Sequence, residues 1–331
     1  MDYKEFIHRF KVQPGKKISL TKDFDPRDTA GYDKPENLEE IMQNEISLLA
    51  EYQEKLYAEN SRALLIVLQA LDAAGKDSLI KHVMSGVNPM GCQVTSFKAP
   101  SAEELDHDYL WRCVKALPER GRIGIFNRSH YEEVLVVRVH PKFLEAQRLP
   151  SETLGEGLWA RRFDQINNFE KHLSENGTEL IKIYLNVSKE EQRQQQLERI
   201  ERPEKNWKFN PADIEERKYW DDYMAAYEDV FQHTSTSWAP WYVIPADKKW
   251  FTRIAALAII VQKLMEMDPK FPTISDEARQ KMLASRDLLL AEAGQTAEKQ
   301  ADSPVVENKN GIMEKPKGKK KDKKKDKKKK K

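Results

Sequence analysis

The sequence predicts an α/β protein in which a five-stranded parallel sheet carries helices on both faces. Three observations lead there. Apolar runs of strand length recur at 63–71, 94–98, 123–127, 180–187 and 241–245. Stretches with helical spacing of apolar residues lie between them, and strands that alternate with helices pair in parallel. The first run, Ala63-Leu-Leu-Ile-Val-Leu-Gln-Ala-Leu71, is apolar almost throughout, which implies burial on both faces.

Taken in order, residues 1–35 are polar and turn-rich and read as an arm wrapped on the domain. Residues 36–59 form a helix, with apolar positions at Leu38, Ile41, Met42, Ile46, Leu49, Tyr52 and Leu56. The 63–71 strand leads through a glycine-containing loop into a helix over about 77–86. After the 94–98 strand, Leu105, Tyr109, Leu110, Cys113, Val114 and Leu117 stripe one helix over 102–117. The 123–127 strand leads into a helix through 132–137, and a further helix spans 158–175. Ser188 and Glu191 form a capping box after the 180–187 strand. Residues 211–234 are helical, and Asp247 caps a last helix that runs to Met267. The domain is expected over 36–292. Beyond it, residues 293–331 turn to Gln, Lys, Ala and Glu and then nearly pure lysine, a composition that predicts a disordered tail.

A chain of 331 residues can hold one large α/β domain or two small ones. No apolar run approaches the roughly 18 residues of a membrane span; the longest, Ile254 to Val261, sits in an amphipathic helix. Residues 1–13 lack the apolar segment of a secretory signal. Cys92 and Cys113 lie in unrelated segments and read as reduced thiols, so a cytoplasmic location is expected. The net charge of +2 is uneven: residues 315–331 hold 13 lysines against Asp322 and Asp326, so +11 of it lies there and −9 on the remainder. An acidic body that binds phosphates must gather its basic groups in one place.

Three segments carry chemistry. Asp72-Ala73-Ala74-Gly75-Lys76-Asp77-Ser78 leaves the first strand and enters a helix N-terminus, where free N–H groups and the helix dipole attract anions. It departs twice from the G-x-x-x-x-G-K-[ST] phosphate loop: Ala70 stands at the first glycine, and Asp77 follows the lysine. Asp72 is informative, because a carboxylate beside phosphates repels them unless a cation such as Mg²⁺ lies between. The second segment, Phe126-Asn127-Arg128-Ser129-His130-Tyr131-Glu132-Glu133, leaves the 123–127 strand, at the end of a parallel strand where ligands bind. There Arg128 can grip phosphate oxygens or pair with Glu132 or Glu133, and His130 reads as structural. The third runs over 193–218 with Arg193, Arg199, Arg202, Lys205, Trp207, Lys208, Arg217 and Lys218, broken by Pro203 and Pro211. It suits a lid that supplies charge only when closed, or a solvated helical hairpin.

Together these segments, with Arg202-Pro-Glu-Lys-Asn-Trp-Lys208 and Trp238-Ala-Pro-Trp-Tyr-Val-Ile-Pro-Ala-Asp247, resemble the family-2 polyphosphate kinases over roughly residues 28–290. The resemblance implies a P-loop kinase fold with a helical lid, and a reversible transfer of phosphoryl groups from polyphosphate to nucleotides. It implies catalytic roles for Asp72, Lys76, Arg128 and Arg199, with Asp72 near Mg²⁺ (or Mn²⁺ in its place). Phosphate or nucleotide binding is then expected at Ala73, Ala74, Gly75, Asp77, Ser78, Asn127, Glu132, Arg202 and Lys208. Asn127 stands where many members have Asp, similar to the subgroup that accepts nucleoside mono- and diphosphates. AMP and ADP, and GMP and GDP, are the expected acceptors, in a homo-oligomer with no specific nucleic-acid or membrane partner. An ATP-dependent nucleoside monophosphate kinase shares the sheet, loop and lid. A nucleic-acid-binding protein is the rival suggested by the lysine tail.

Overall fold

The computed structural model describes residues 3–301, and side chains through residue 292. The chain divides after Pro272 into two units, each described by itself. The first contains the whole sheet, in the order β2-β3-β1-β4-β5: β1 Ala63–Ala70, β2 Cys92–Ser96, β3 Ile123–Asn127, β4 Thr178–Asn186 and β5 Trp241–Pro245. All four pairings are parallel. Every residue of β1 is buried, as a central strand covered on both faces must be. The chain runs from β1 out to edge strand β2, back through β3, and then crosses β1 to β4. The order therefore reverses beside β1, where a crevice opens at the carboxyl ends of the strands.

Several boundaries differ from expectation. The 102–117 helix is two short ones, Ala102–Leu105 and Trp111–Lys115. Asp106 caps the first through its N–H, and the Asp108 carboxylate takes the Leu110 N–H, so Asp-His-Asp ends one helix and sets a turn before the next. The helix expected through 132–137 is a 3₁₀ turn, His130–Val134, followed by a short helix, Val136–Val139. The Ser188 capping box is half made: its hydroxyl accepts the Glu191 N–H, but its own N–H goes to Asp247. Asp247 is thereby committed to Ser188, and the Lys249–Met267 helix begins at Lys248 without a side-chain cap. That helix is not amphipathic in the expected sense, because Ala255 to Val261 are all buried. It packs on the Leu38–Glu59 helix, the sheet, the helix after β1 and the N-terminal arm.

The arm is less polar in role than in composition. Phe6 and Phe10 meet Phe251 edge-on at 5.9 and 6.0 Å. The Val12 N–H donates to Trp241 O and the Val243 N–H to Phe10 O, so the arm extends the sheet beyond β5. In the second unit the Asp276–Ala301 helix continues past residue 292, where a disordered tail was expected to begin. The lysine-rich remainder lies outside the described residues. No helix among the described residues is long and apolar enough to cross a membrane.

Candidate active site

The loop after β1 owes its shape to two left-handed residues, Ala73 at φ 62° and Gly75 at φ 100°. At Gly75 a Cβ would meet nothing within 4 Å, so backbone conformation, not space, favours glycine there. The Lys76–Val83 helix starts on Gly75 with no side-chain cap, and the Leu79 N–H donates to Gly75 O. The first N–H groups of that helix have no intrahelical acceptor and face the loop. The Lys76 side chain, nearly buried, reaches back to the end of β1, where its Nζ donates to Ala70 O at 2.8 Å and Leu71 O at 3.3 Å. Burial, and secondarily the charge of Arg128, lowers Lys76 from 10.5 to about 8.

β3 lies beside β1 with Asn127 opposite Leu68, which brings the second segment against the loop. Arg128 is left-handed at φ 64°, a conformation that costs roughly 1–3 kcal/mol for a residue with a Cβ. Its N–H donates to Leu68 O at 3.0 Å. Its guanidinium donates from Nη2 to Asp72 Oδ1 at 2.5 Å and lies 3.6 Å from Glu132 Oε2 through Nη1. Glu132 first, and Asp72 after it, raise the pKa of Arg128 against the opposing effect of burial, so it stays charged. Asn127 Nδ2 donates to Asp77 Oδ1 at 2.9 Å and Ser96 Oγ at 3.3 Å, while its buried Oδ1 has no partner. The two departures from the general loop pattern thus meet. The position after the lysine carries the carboxylate, and the strand end carries the amide that donates to it.

Asp72, Arg128 and Glu132 face a cavity of about 500 Å³ whose roof comes from the lid. The lid comprises the Lys189–Glu201 helix, a 3₁₀ turn over Pro203–Lys208 and a short Pro211–Glu216 helix. Within it Arg199 Nη1 donates to Asp213 Oδ2 at 2.9 Å. Burial and the nearby Asp72 charge raise the Asp213 carboxyl, although Arg199 and Gln196 oppose this. Arg202 pairs with Glu204 on the outside and Lys208 lies over Trp207, both exposed and away from the cavity lining. Ser78 is half-buried as the third residue of the helix and does not line the cavity.

Sequence spacing missed the contacts of three residues here. Gln192 Nε2 donates to Asp72 O at 3.0 Å and its Oε1 accepts from Arg217, tying lid to loop. Glu216 accepts from Tyr223 at 2.9 Å and meets His140 Nε2 at 2.9 Å, tying lid to body. His130, expected to lack an orienting partner, is fully buried with Nε2 3.3 Å from Glu170 Oε1, in keeping with its structural reading. These partners lie 7 to 120 positions apart, and no local pattern in the sequence announces them.

Of the expected site residues, Asp72, Arg128 and Glu132 line the cavity, whereas residues 73–78, Asn127 and Arg199 do not. Lys76 is held on the carbonyls of Ala70 and Leu71, which do line it, so a helix N-terminus and two cations lie close to the cavity wall, which suits a ligand made of phosphates. Comparison with known proteins agrees. The sequence model of the family described as Polyphosphate kinase 2 matches residues 31–272. The chain is 47% identical over 283 residues to the ADP-polyphosphate phosphotransferase of Rhodopseudomonas palustris, covering 85% of this chain and 98% of the relative. It is 44% identical over 268 residues to the AMP/ADP-polyphosphate phosphotransferase of Meiothermus ruber, covering 80% of this chain and 96% of that one. Among solved structures, polyphosphate kinase 2 from Arthrobacter aurescens superposes with a TM-score of 0.74 at 39% identity, over 83% of this chain and 95% of the other. With the family model matched over most of its length, this chain belongs to the polyphosphate kinase 2 family.

Proposed function

We propose that the chain transfers the terminal phosphoryl group of inorganic polyphosphate to AMP and ADP, and to their guanine counterparts, in a reversible reaction. One observation carries the reading: the Asp72–Arg128 pair lines a single cavity together with Ala70 and Leu71, the two residues whose carbonyls hold the Lys76 ammonium. The polyphosphate end lies on the loop and Lys76. The acceptor phosphate lies at Arg128, with Arg199 of the lid closing over both. An acceptor oxygen forms a bond to the terminal phosphorus as the bond to the next phosphate breaks, and the shortened polyphosphate leaves with the electron pair. Donor and acceptor are both anions, so no general base is required and catalysis consists of positioning and charge neutralisation.

Each cation now holds an internal acceptor in place of phosphate: backbone carbonyls for Lys76, Asp72 and Glu132 for Arg128, and Asp213 for Arg199. Exchange of these partners for phosphate oxygens is the charge-transfer part of closure. A divalent cation fits the donor chemistry. The cavity is lined by the carboxylates of Asp72, Glu132, Glu133, Asp213 and Glu216, against Lys98, Arg112, Arg128 and Arg217. With acids and bases so nearly balanced, the lining does not by itself neutralise a polyphosphate end, and a cation beside Asp72 would supply the missing charge. Among the described residues no group of three or more His, Cys, Asp or Glu forms a ready metal cage. Mg²⁺ takes one or two carboxylates and completes its shell with phosphates and water. Asp72 is the residue to hold it, with Mn²⁺ as a substitute; bound there, the ion would neutralise phosphate charge. A cytoplasmic location and a homo-oligomeric assembly belong to the same reading.

The reading is tested by the products formed from AMP, ADP, GMP and GDP with long-chain polyphosphate and Mg²⁺. Di- and triphosphates should form from both monophosphates. If none of the four acceptors is phosphorylated, the reading fails. If only the adenine nucleotides react, it narrows to that base.

A pH dependence follows from Lys76. Its pKa falls from 10.5 in the unfolded chain to about 8 in the fold, so between these values the unfolded chain holds more protons. Stability contributed through this group therefore rises with pH across that window. Phosphate affinity moves the opposite way, because the lysine loses its charge as pH passes its folded pKa. The KM for polyphosphate should rise between pH 7 and 9.5, and Lys76→Arg should flatten that rise. A KM independent of pH in the wild-type protein contradicts the assignment of Lys76.

A further inference from the structure

Behind the Arg128 turn, on the side away from the cavity, lies a closed polar cluster that the transfer reaction does not touch. Lys182 of β4 and Glu170 of the Leu158–Glu175 helix are fully buried, 2.5 Å apart. Lys182 Nζ also donates to Tyr131 Oη at 2.9 Å and Thr234 O at 2.7 Å. Tyr131 Oη donates to Glu170 Oε1 at 2.8 Å, and His130 Nε2 approaches the same oxygen at 3.3 Å. Burial alone would raise the Glu170 carboxyl, but Lys182 and His130 hold it below its ordinary range. Trp241 closes the cluster: its ring lies 4.8 Å from that of Tyr131, and its Nε1 donates to Thr234 Oγ1 at 2.9 Å.

An ion pair taken wholly out of water adds little net stability compared with apolar residues of the same volume. Stability alone therefore does not account for this one, and its place in the fold does. Two of its members, His130 and Tyr131, follow Arg128 by two and three residues. Ser129, between Arg128 and His130, is fully buried and accepts from both Gln69 Nε2 and the Tyr131 N–H at 3.2 Å. On the other side Arg128 is held by β3 and by its N–H bond to Leu68 O. The left-handed backbone of Arg128 is thus stretched between a central strand and a buried anchor. Relaxing either end lets the residue return to an ordinary conformation and swing its guanidinium off Asp72.

We propose that Glu170, Lys182 and Tyr131 are positioning residues for the phosphoryl transfer: the buried cluster clamps the turn that aims Arg128 at the acceptor phosphate. The inference rests on the functional reading above, and its test separates the two. Acceptor kcat/KM and melting temperature are measured for Tyr131→Phe and for the neutral pair Glu170→Gln/Lys182→Met, each in the native and the Arg128→Ala background. With native Arg128, both variants should lose roughly tenfold or more in acceptor kcat/KM, as when a group orienting a ligating residue is removed. The melting temperature of Tyr131→Phe should stay close to that of the wild type. In the Arg128→Ala background the same changes should leave the residual rate unaltered, because they act through the absent guanidinium. Equal losses in both backgrounds, or full activity in a folded variant, overturn the proposal. If the neutral pair does not fold, Tyr131→Phe, which removes one hydroxyl, still decides it. A wild-type protein inactive with polyphosphate sinks the functional reading before any variant is compared.

Discussion

Arg128→Ala should lower turnover with ADP and polyphosphate by roughly 10³-fold or more, the scale of an arginine that neutralises charge in phosphoryl transfer. The protein should remain folded. Arg128 joins the phosphate loop to the segment that leaves β3, through Asp72 at 2.5 Å and Glu132 at 3.6 Å. Lysine keeps the charge but not the planar fork, so Arg128→Lys should recover only part of the rate. Arg128→Gly is the sharper control. It relieves the left-handed backbone at φ 64°, so any loss of stability through missing contacts is offset, yet activity should fall as far as with alanine. The pH dependence should also move, because the Arg128 charge is one cause of the lowered Lys76 pKa. Without it, the inflection in residual activity should shift to higher pH. Steady-state rates together with melting curves check each statement, and an Arg128→Ala variant that keeps a tenth of the wild-type turnover contradicts the assignment.

Asp72→Asn should cost roughly 10²- to 10³-fold in turnover, the scale of removing one electrostatic element from a preorganised site. Two roles for Asp72 make opposite predictions. As a mere placeholder for phosphate on Arg128, it competes with substrate, and its removal should lower KM with turnover unchanged. As the carboxylate that holds Mg²⁺, its removal should depress turnover and raise the Mg²⁺ concentration needed for half-maximal rate. The second role is the one expected, since Asp72 faces the cavity and Glu132 already offers Arg128 another carboxylate. A titration of rate against Mg²⁺ for wild type and Asp72→Asn separates them, and Mn²⁺ should restore part of the lost rate.

The sheet was largely legible because burial writes itself into parallel strands. β3 and β5 fall at 123–127 and 241–245, where the apolar runs put them. β2 begins two residues earlier than its apolar run, at Cys92, because an edge strand is only partly buried and its pattern is set by pairing with β3. The phosphate loop and the Arg128 turn were visible as residue types at strand ends. Their conformations were not, since a left-handed Ala73 or Arg128 is imposed by surroundings that no local preference announces. Asp247 shows the same limit: a good helix cap by position, it is taken by Ser188 from another loop. The buried cluster was the least legible of all. Tyr131, Glu170, Lys182 and Thr234 lie on four elements, and each alone resembles an ordinary polar residue of a strand or helix. Arg199 was visible as a lid cation, whereas Asp213, which now occupies it, follows only from how the lid folds on itself.

The central claim is that this loop and turn pass phosphate directly from polyphosphate to a nucleotide. It is tested most directly by incubating the protein with ³²P-labelled polyphosphate, unlabelled ADP and Mg²⁺, with ATP absent at the start. Label should appear in the terminal phosphate of ATP with wild-type protein and be lost with Lys76→Ala. Label transfer that persists undiminished in Lys76→Ala, or nucleotide phosphorylation that begins only when ATP is added, contradicts the account.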